Sequence, residues 1–452
     1  MSAARKPEPQ HHQIIIIGGG QAGLSLAWHM QQAGIDYLVI ERAEAFHAWK
    51  HQRWDSFCLV TPNWQCKLPG YEYPGNEPDG FMVKAEIIRF VEGFKASFNP
   101  NVLTNTEVLS LTPDANGFAL ETSAPQHFAL ETSAPQRFAL ETSAPQRFAL
   151  ETSAGAFTAT QVCIATGGYH KPITPRMAER LPPRLRQIHA NQYRNPAQLP
   201  DGAILVVGTG QSGCQIAEDL HLAGRRVHLA VGSAPRVSRV YRGRDIVNWL
   251  HDMGHYDLAI SDHPMQEGVR GKANHYVTGR GGGRDIDLRK FATEGMRLHG
   301  HLASVNAEII GFAPDLAANL DNADRVNDRI KDGIDAFIAE RGINAPAEPR
   351  YIPLWHPQAD DPPLDLQHAG INSIIWCVGY RPDYAWVHVP VFTGRGTPSH
   401  RRGITAVPGL YFLGLPWLHT WGSGRFAAIA RDSAHLASHI SRYAPGAFNP
   451  EK

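Results

Sequence analysis
The chain is poor in cysteine and has no excess of charge of either sign. Its five cysteines, at positions 58, 66, 163, 214 and 377 of 452, form no CxxC or CxxxxC pair. That argues against a disulfide framework or a cysteine-rich zinc centre and leaves a reducing cytoplasm as the expected compartment. Lys plus Arg and Asp plus Glu stand at 43 each, so no global field draws phosphate backbones or anionic lipid, and neither nucleic acid nor a membrane is expected as a partner. Long hydrophobic runs are missing too: nothing approaches the ~20 apolar residues of a membrane span. The first thirteen residues are polar, with two prolines and no signal-peptide core, and residues 1–12 are expected to be a disordered tail. What remains, 43% hydrophobic and 19% charged residues, is the composition of an ordinary globular protein. No metal site is expected.

A repeat comes before any element. Phe-Ala-Leu-Glu-Thr-Ser-Ala recurs at 118, 128, 138 and 148, joined by Pro-Gln-His or Pro-Gln-Arg. The ten-residue period is shorter than that of solenoids, and copies this uniform look like tandem duplication of one unit. Within a copy the pattern has period 2 and the prolines break it as turns would, so residues 118–154 read as a β-meander insertion at a sheet edge. A binding arm is the alternative. Around the insertion, strands expected at 14–17, 37–40 and 161–165 alternate with helices at 24–32, closed by Gly34, and at 83–98, where Ile87, Val91, Phe94 and Phe98 share a face. The pattern restarts at Ala203, with strands at 204–207 and 226–231 around a helix at 211–222. Residues 240–345 read as mainly helical, clearest at Val326, Ile330, Ile334 and Phe337. Strands at 371–378 and 410–413 and a helix at 424–442 end the chain.

Two motifs carry chemistry. Gly18-Gly-Gly20-Gln21-Ala22-Gly23 follows the first strand and opens the first helix, where glycines permit a tight turn and let a pyrophosphate approach backbone N–H groups at a helix N-terminus. Glu41, eighteen residues after Gly23, ends the next strand, where an acid accepts hydrogen bonds from ribose hydroxyls; Arg42 stands beside it. Gly208-Thr-Gly210-Gln211-Ser212-Gly213 repeats the arrangement. No acid follows its second strand. The segment reads Val231-Gly-Ser233-Ala-Pro-Arg236, whose hydroxyl and guanidinium suit a 2′-phosphate, so NADPH is expected over NADH. The alternative is that Arg236, or Arg239 and Arg242 nearby, solvates a loop. The fold class is α/β: two Rossmann-type dinucleotide-binding domains with a β-meander insertion and a helical elaboration. One domain is expected over 13–175 and 371–445, the other over 186–370 with the elaboration at 240–345.

Two such units, the first with an acid and the second with basic residues, resemble the two-dinucleotide-binding-domain flavoproteins, in which FAD occupies the first unit and NAD(P)H the second. Further strings narrow the resemblance to the flavin-containing monooxygenase branch, the class B flavoprotein monooxygenases. Trp49 with Arg53-Trp-Asp55-Ser56, then Thr61-Pro-Asn63 and Leu68-Pro69, is similar to the segment lying along the isoalloxazine. Ala165-Thr-Gly167 and Cys377-Val-Gly379-Tyr380 look like the two linker motifs, and Gly409-Leu-Tyr-Phe-Leu-Gly414 looks like the strand that leads the C-terminal segment to the flavin. The sequence is most similar to a bacterial family of flavin-dependent oxidoreductases whose genes tend to accompany a nitrilase.

The resemblance implies FAD and NADPH as cofactors, O2 and a small molecule as partners, and oxygenation of an N or S nucleophile through a C4a-hydroperoxyflavin; it leaves a homodimer open. Trp49, Arg53, Thr61 and Gly414 would border the cofactor, and Val108 would offer its backbone to adenine. Asn63 carries over as a side-chain partner of the flavin, an Asx turn being the equal alternative. The branch fingerprint survives as His189 and Tyr193, while Pro183 and Leu185 stand at its Phe and Gly positions. That departure keeps open a reductase or oxidase that uses the same hydride, and a nonenzymatic flavoprotein sensor or scaffold. Of the cysteines, only Cys58 and Cys66 lie near the flavin segment as a pair to test.

Overall fold
A computed structural model of the chain describes residues 9–114, 147–358 and 362–442. It begins with β1, Gln10–Ile17, whose four isoleucines are buried. Then come α1, Gln21–Gln32; β2, Tyr37–Ile40; the short α2, His47–His51; and α3, Lys84–Phe98. The strands β3, Val102–Leu103, β4, Val108–Asp114, β5, Arg147–Thr152, and β6, Gly155–Ile164, complete the first unit. The second is built from β7, Arg186–His189, β8, Ala203–Val207, α4, Gln211–Leu222, and β9, Val227–Ala230. It continues through α5, Ile246–Asp252, β10, Arg297–His299, α6, Leu316–Arg341, and β11, Ile371–Trp376. The chain closes with β12, Leu410–Phe412, and α7, Ile429–Ser441.

Two sheets result. The first has seven strands in the order β3-β2-β1-β6-β5-β4, with β12 also paired to β6. Its β1, β2, β3, β6 and β12 run parallel, and β4-β5-β6 form an antiparallel meander. The second is a five-stranded parallel sheet, β7-β11-β8-β9-β10. In each, the glycine motif follows an inner strand whose last four residues are buried, the carboxyl-end position at which open α/β sheets take ligands.

Differences from the sequence reading have local causes. The expected tail is strand from Gln10 onward, with His12 buried and bonded to Asp36. The fourth repeat copy supplies β5; the other three lie outside the described residues. Residues 240–345 are not mainly helical: turns and short 3-10 pieces fill 253–287, and β10 and a hairpin at 302–312 interrupt the rest. Along α6 the buried face carries Asn327 and Lys331 while Val326 is half-exposed, because the helix packs on polar loops: Asn327 Oδ1 accepts from Ser238 N at 2.7 Å. The boundary expected at 371 shifts, since β11 is central to the second sheet. The last helix starts at Ile429, after a turn in which Gly424 takes φ +78°.

Burial of histidines sets an acid limit. Burial pushes His29, His275 and His400 down from 6.5 to about 4, with Coulombic help from His255 at His275 and Arg270 at His400. Such groups are neutral in the fold while the unfolded chain binds protons from pH 6.5 downward, so their stabilisation is whole above 6.5 and lost as pH falls toward 4. Guanidinium chloride midpoints measured from pH 7.5 to 4.5 should therefore fall continuously below pH 6.5.

Candidate active site
The two glycine motifs make matching cradles. Gly18 and Gly208 take φ +114° and +102°, and a Cβ on either would stand 2.7 Å from a carbonyl oxygen, of Ala165 or of Cys377, where the linker segments cross. A Cβ on Gly23 or Gly213 would stand 1.9 Å from the carbonyl oxygen of Gly18 or Gly208, so helix and turn touch backbone to backbone. At Gly20 and Gly210, the N-caps, nothing lies within 4 Å of such an atom. Neither helix has a side-chain cap or an acid in its first turn. Orphan N–H groups and the positive dipole end are left to an anion in open space.

Around the first cradle, Glu41 Oε2 accepts from Gly19 N at 2.7 Å and Oε1 from Ala43 N at 3.0 Å; Arg42 beside it is exposed. Gln21 bridges two segments: its Oε1 accepts from Trp49 Nε1 and its Nε2 donates to Gly424 O, both at 3.1 Å. Trp49 stacks on Phe426 with centroids 5.4 Å apart, and the Arg53 guanidinium lies 5.0 Å over the Trp49 ring. Gly414, at φ +79°, lets the C-terminal segment cross the start of α1; a Cβ there would be 2.6 Å from that of Ala22. Burial lowers the pKa of Arg53, and no carboxylate pairs with it among the described residues, an arrangement that suits an incoming anion. Thr61 is buried, and Val108 opens β4 opposite Thr152.

Asn63 is buried, and its amide is spent on protein: Nδ2 donates to Glu77 O at 2.9 Å and Oδ1 accepts from Met82 N at 3.0 Å. It clasps the 77–82 loop. Cys58 and Cys66 are buried free thiols, each pushed up by burial to about 12. They stay protonated, which is the opposite of what thiol–disulfide exchange requires.

In the second cradle, Thr209 Oγ1 accepts from Gly232 N at 2.8 Å, Gln211 Nε2 donates to Val277 O, and Ser212 is half-buried. Ser233 is exposed. Arg236 corrects the sequence reading. It is buried, its Nε sits 2.5 Å from Asp324 Oδ1, and its guanidinium covers the Tyr351 ring at 4.1 Å. Arg239 pairs with Asp245 and Arg242 with Asp335 in the same way, so none of the three is a loop cation free for a 2′-phosphate. Arg236→Ala should lower stability by about 1.5–3 kcal/mol by removing one of the two guanidiniums on Asp324, which keeps Arg289, yet leave the NADPH to NADH preference within about twofold; steady-state KM values for both nucleotides check it.

Between the cradles lies a junction that sequence reasoning missed. Asp219 on α4, buried, accepts from Ser56 Oγ at 2.5 Å, Tyr193 Oη at 2.6 Å and Arg280 Nη1 at 2.7 Å. Trp54 is buried in the second domain's core while Trp49 packs against the first domain's, so residues 49–57 straddle both. His189 Nε2 meets Gly379 O at 3.1 Å, its Nδ1 caps the next turn, and its ring meets Tyr380 edge-on at 4.8 Å; burial lowers its pKa. The fingerprint pair thus ties the linker and the cofactor segment to the second domain.

A family model described as pyridine nucleotide-disulphide oxidoreductase matches residues 15–131 and 125–252, over half of the chain. The chain belongs to this family. It is an oxidoreductase, so the nonenzymatic reading closes. A CzcO-like oxidoreductase of Geobacillus kaustophilus is 27% identical over 430 residues, 94% of this chain and 97% of its own length. Among solved structures, a flavin-containing monooxygenase from Stenotrophomonas maltophilia has TM-score 0.60 at 17% identity, covering 96% of this chain and 100% of its own. The ornithine N-hydroxylase of Kutzneria, in a structure with reduced FAD, NADP+ and L-ornithine, has TM-score 0.59 at 15% identity, with 96% and 99% covered. The fold is that of the two-dinucleotide-binding flavoproteins. This member has both cradles and no CxxC or CxxxxC pair in its sequence. No helix among the described residues is long and apolar enough to cross a membrane.

Proposed function
We infer that the chain is an FAD-dependent monooxygenase that draws electrons from NADPH and oxygenates a small substrate at nitrogen or sulfur. The observation that carries this reading is the pair of matching cradles, each opened by a glycine N-cap with no side chain in the anion's place, joined by one aromatic segment anchored in both domains. Bound FAD would supply the hydride acceptor and the oxygen chemistry, and the protein supplies position, electrostatics and exclusion of water. Gly18, Gly20 and the first turn of α1 would hold its pyrophosphate, with Glu41 taking the ribose. The lone guanidinium of Arg53 would offset cofactor charge, Trp49, Thr61 and Gly414 would border the ring, and the Val108 backbone would take adenine. Gly210 and Ser212 would hold the nicotinamide nucleotide. Its 2′-phosphate falls to Ser233 and to His301, which lies close to Gly232 and is oriented by Asp315 Oδ2 at 2.6 Å from Nδ1. His189 and Tyr193 act as positioning groups. The cofactors of the Kutzneria enzyme support the pair.

The Asn63 amide favours a second reading, a reductase or oxidase that releases peroxide, because both of its polar atoms are anchored to the backbone of the 77–82 loop and it is not free to turn toward an oxygen adduct. Anaerobic NADPH should bleach bound flavin under either reading, and its failure to do so overturns both. On readmitting oxygen with amine and thioether substrates, oxygenated product per NADPH supports the monooxygenase; stoichiometric peroxide whatever the substrate supports the oxidase.

A further inference from the structure
The loop before the aromatic segment carries groups that the cofactor reading leaves unused. His47 and His51 stand one turn apart on α2 with ring centroids 4.8 Å apart, and Glu44 lies just before the helix. One ligand atom from each falls within 4.8 Å of the other two, and His51 Nε2 already meets Glu44 Oε1 at 2.5 Å. Glu44 and His51 are exposed and His47 is half-buried, so an ion has access. Histidines at i and i+4 put both rings on one helix face, and a carboxylate completes a three-ligand set with an open fourth position. Ligands at about 2.0–2.2 Å from a tetrahedral ion stand about 3.3 Å apart, a spacing that small side-chain rotations reach from the present one.

We propose that Glu44, His47 and His51 bind a divalent first-row transition ion, such as Zn2+, on the outer side of the first cradle. Two imidazoles and one carboxylate suit such an ion, whereas Mg2+ and Ca2+ require oxygen sets. The backbone beneath is held in one shape. Phe46, buried, takes φ +61°, a conformation that a bulky residue keeps only under constraint, and its N–H donates to Gly19 O at 3.0 Å. Lys50 holds Glu44 Oε2 at 2.5 Å and Glu92 Oε1 at 2.6 Å, leaving Glu44 Oε1 turned toward the histidines. An ion here cross-links the loop that grips Gly19, and so stiffens the cradle.

The test is calorimetric titration of the tag-free full chain, as purified with its flavin, with ZnCl2. One saturable site per chain is expected, weakened more than tenfold in His47→Ala and in His51→Ala separately and unchanged in His435→Ala. His435 and His439 form another i, i+4 pair, on α7, with no third ligand in reach among the described residues. Circular dichroism and flavin absorbance confirm folding; His51 is exposed, so its variant tests the site should His47→Ala misfold. No saturable binding by the unaltered chain, an undiminished affinity in His51→Ala, or an equal loss in His435→Ala overturns the proposal.

Discussion

Gly213→Ala should leave FAD bound and lose reduction by NADPH, and Gly23→Ala should give the converse, a chain purified without flavin. In both variants the new methyl meets a carbonyl oxygen at 1.9 Å. No rotamer relieves a clash between two backbones, so α4 or α1 must slide away from its turn. Overpacking of this kind costs about 1–3 kcal/mol even where side chains can adjust. Taken wholly from ligand binding, that is a loss of about 10–100-fold, with more expected here because the displaced helix end is the anion site itself. Flavin content comes from visible absorbance, and NADPH affinity from anaerobic stopped-flow reduction at rising nucleotide concentration. Equal loss of both cofactors in both variants would mean that the cradles do not serve separate nucleotides.

The second large effect is expected at Asp219. Asp219→Ala removes the acceptor of three donors, all from outside α4: Ser56 from the aromatic segment, Tyr193 from the turn after β7, and Arg280 from the 253–287 stretch. Breaking a buried ion pair costs about 3–5 kcal/mol. The lower end applies, because the Arg280 side chain keeps 34% of its surface in water. Tyr193→Phe loses one hydrogen bond, about 1 kcal/mol. Guanidinium chloride unfolding measures both. If Tyr193 positions, its Phe variant shifts the unfolding midpoint and the KM for NADPH more than kcat; a loss of kcat alone at unchanged stability would make it a group that touches the reacting atoms.

These cases mark what was legible in the sequence. The cradles could be read because all their constraints are local: three glycines at fixed spacing, a strand before and a helix after. The helix at 211–222 was placed to the residue for that reason. Arg236 was misread because its partner, Asp324, is 88 residues away on α6, and a guanidinium in a loop looks the same in sequence whether paired or free. The junction at Asp219 was invisible: its donors come from positions 56, 193 and 280, and no spacing rule links them. The stretch 240–345 misled because apolar residues at helical intervals are real in α6, while the turns at 253–287 carry no periodicity to oppose the extension. Asn63 was recognised by its motif, and the structure adds that its amide bonds protein on both sides.

Asp114 and Arg147 are direct partners in the β4-β5 ladder, so the two ends of the stretch that carries the repeats are held side by side. Phe148 and Leu150 are buried where β5 pairs with β4, and a whole unit gained or lost changes only the length of chain that this ladder closes, a cost of about 0.6 kcal/mol for each doubling. The number of repeats is thereby uncoupled from the geometry of the two dinucleotide cradles, which other strands and helices build.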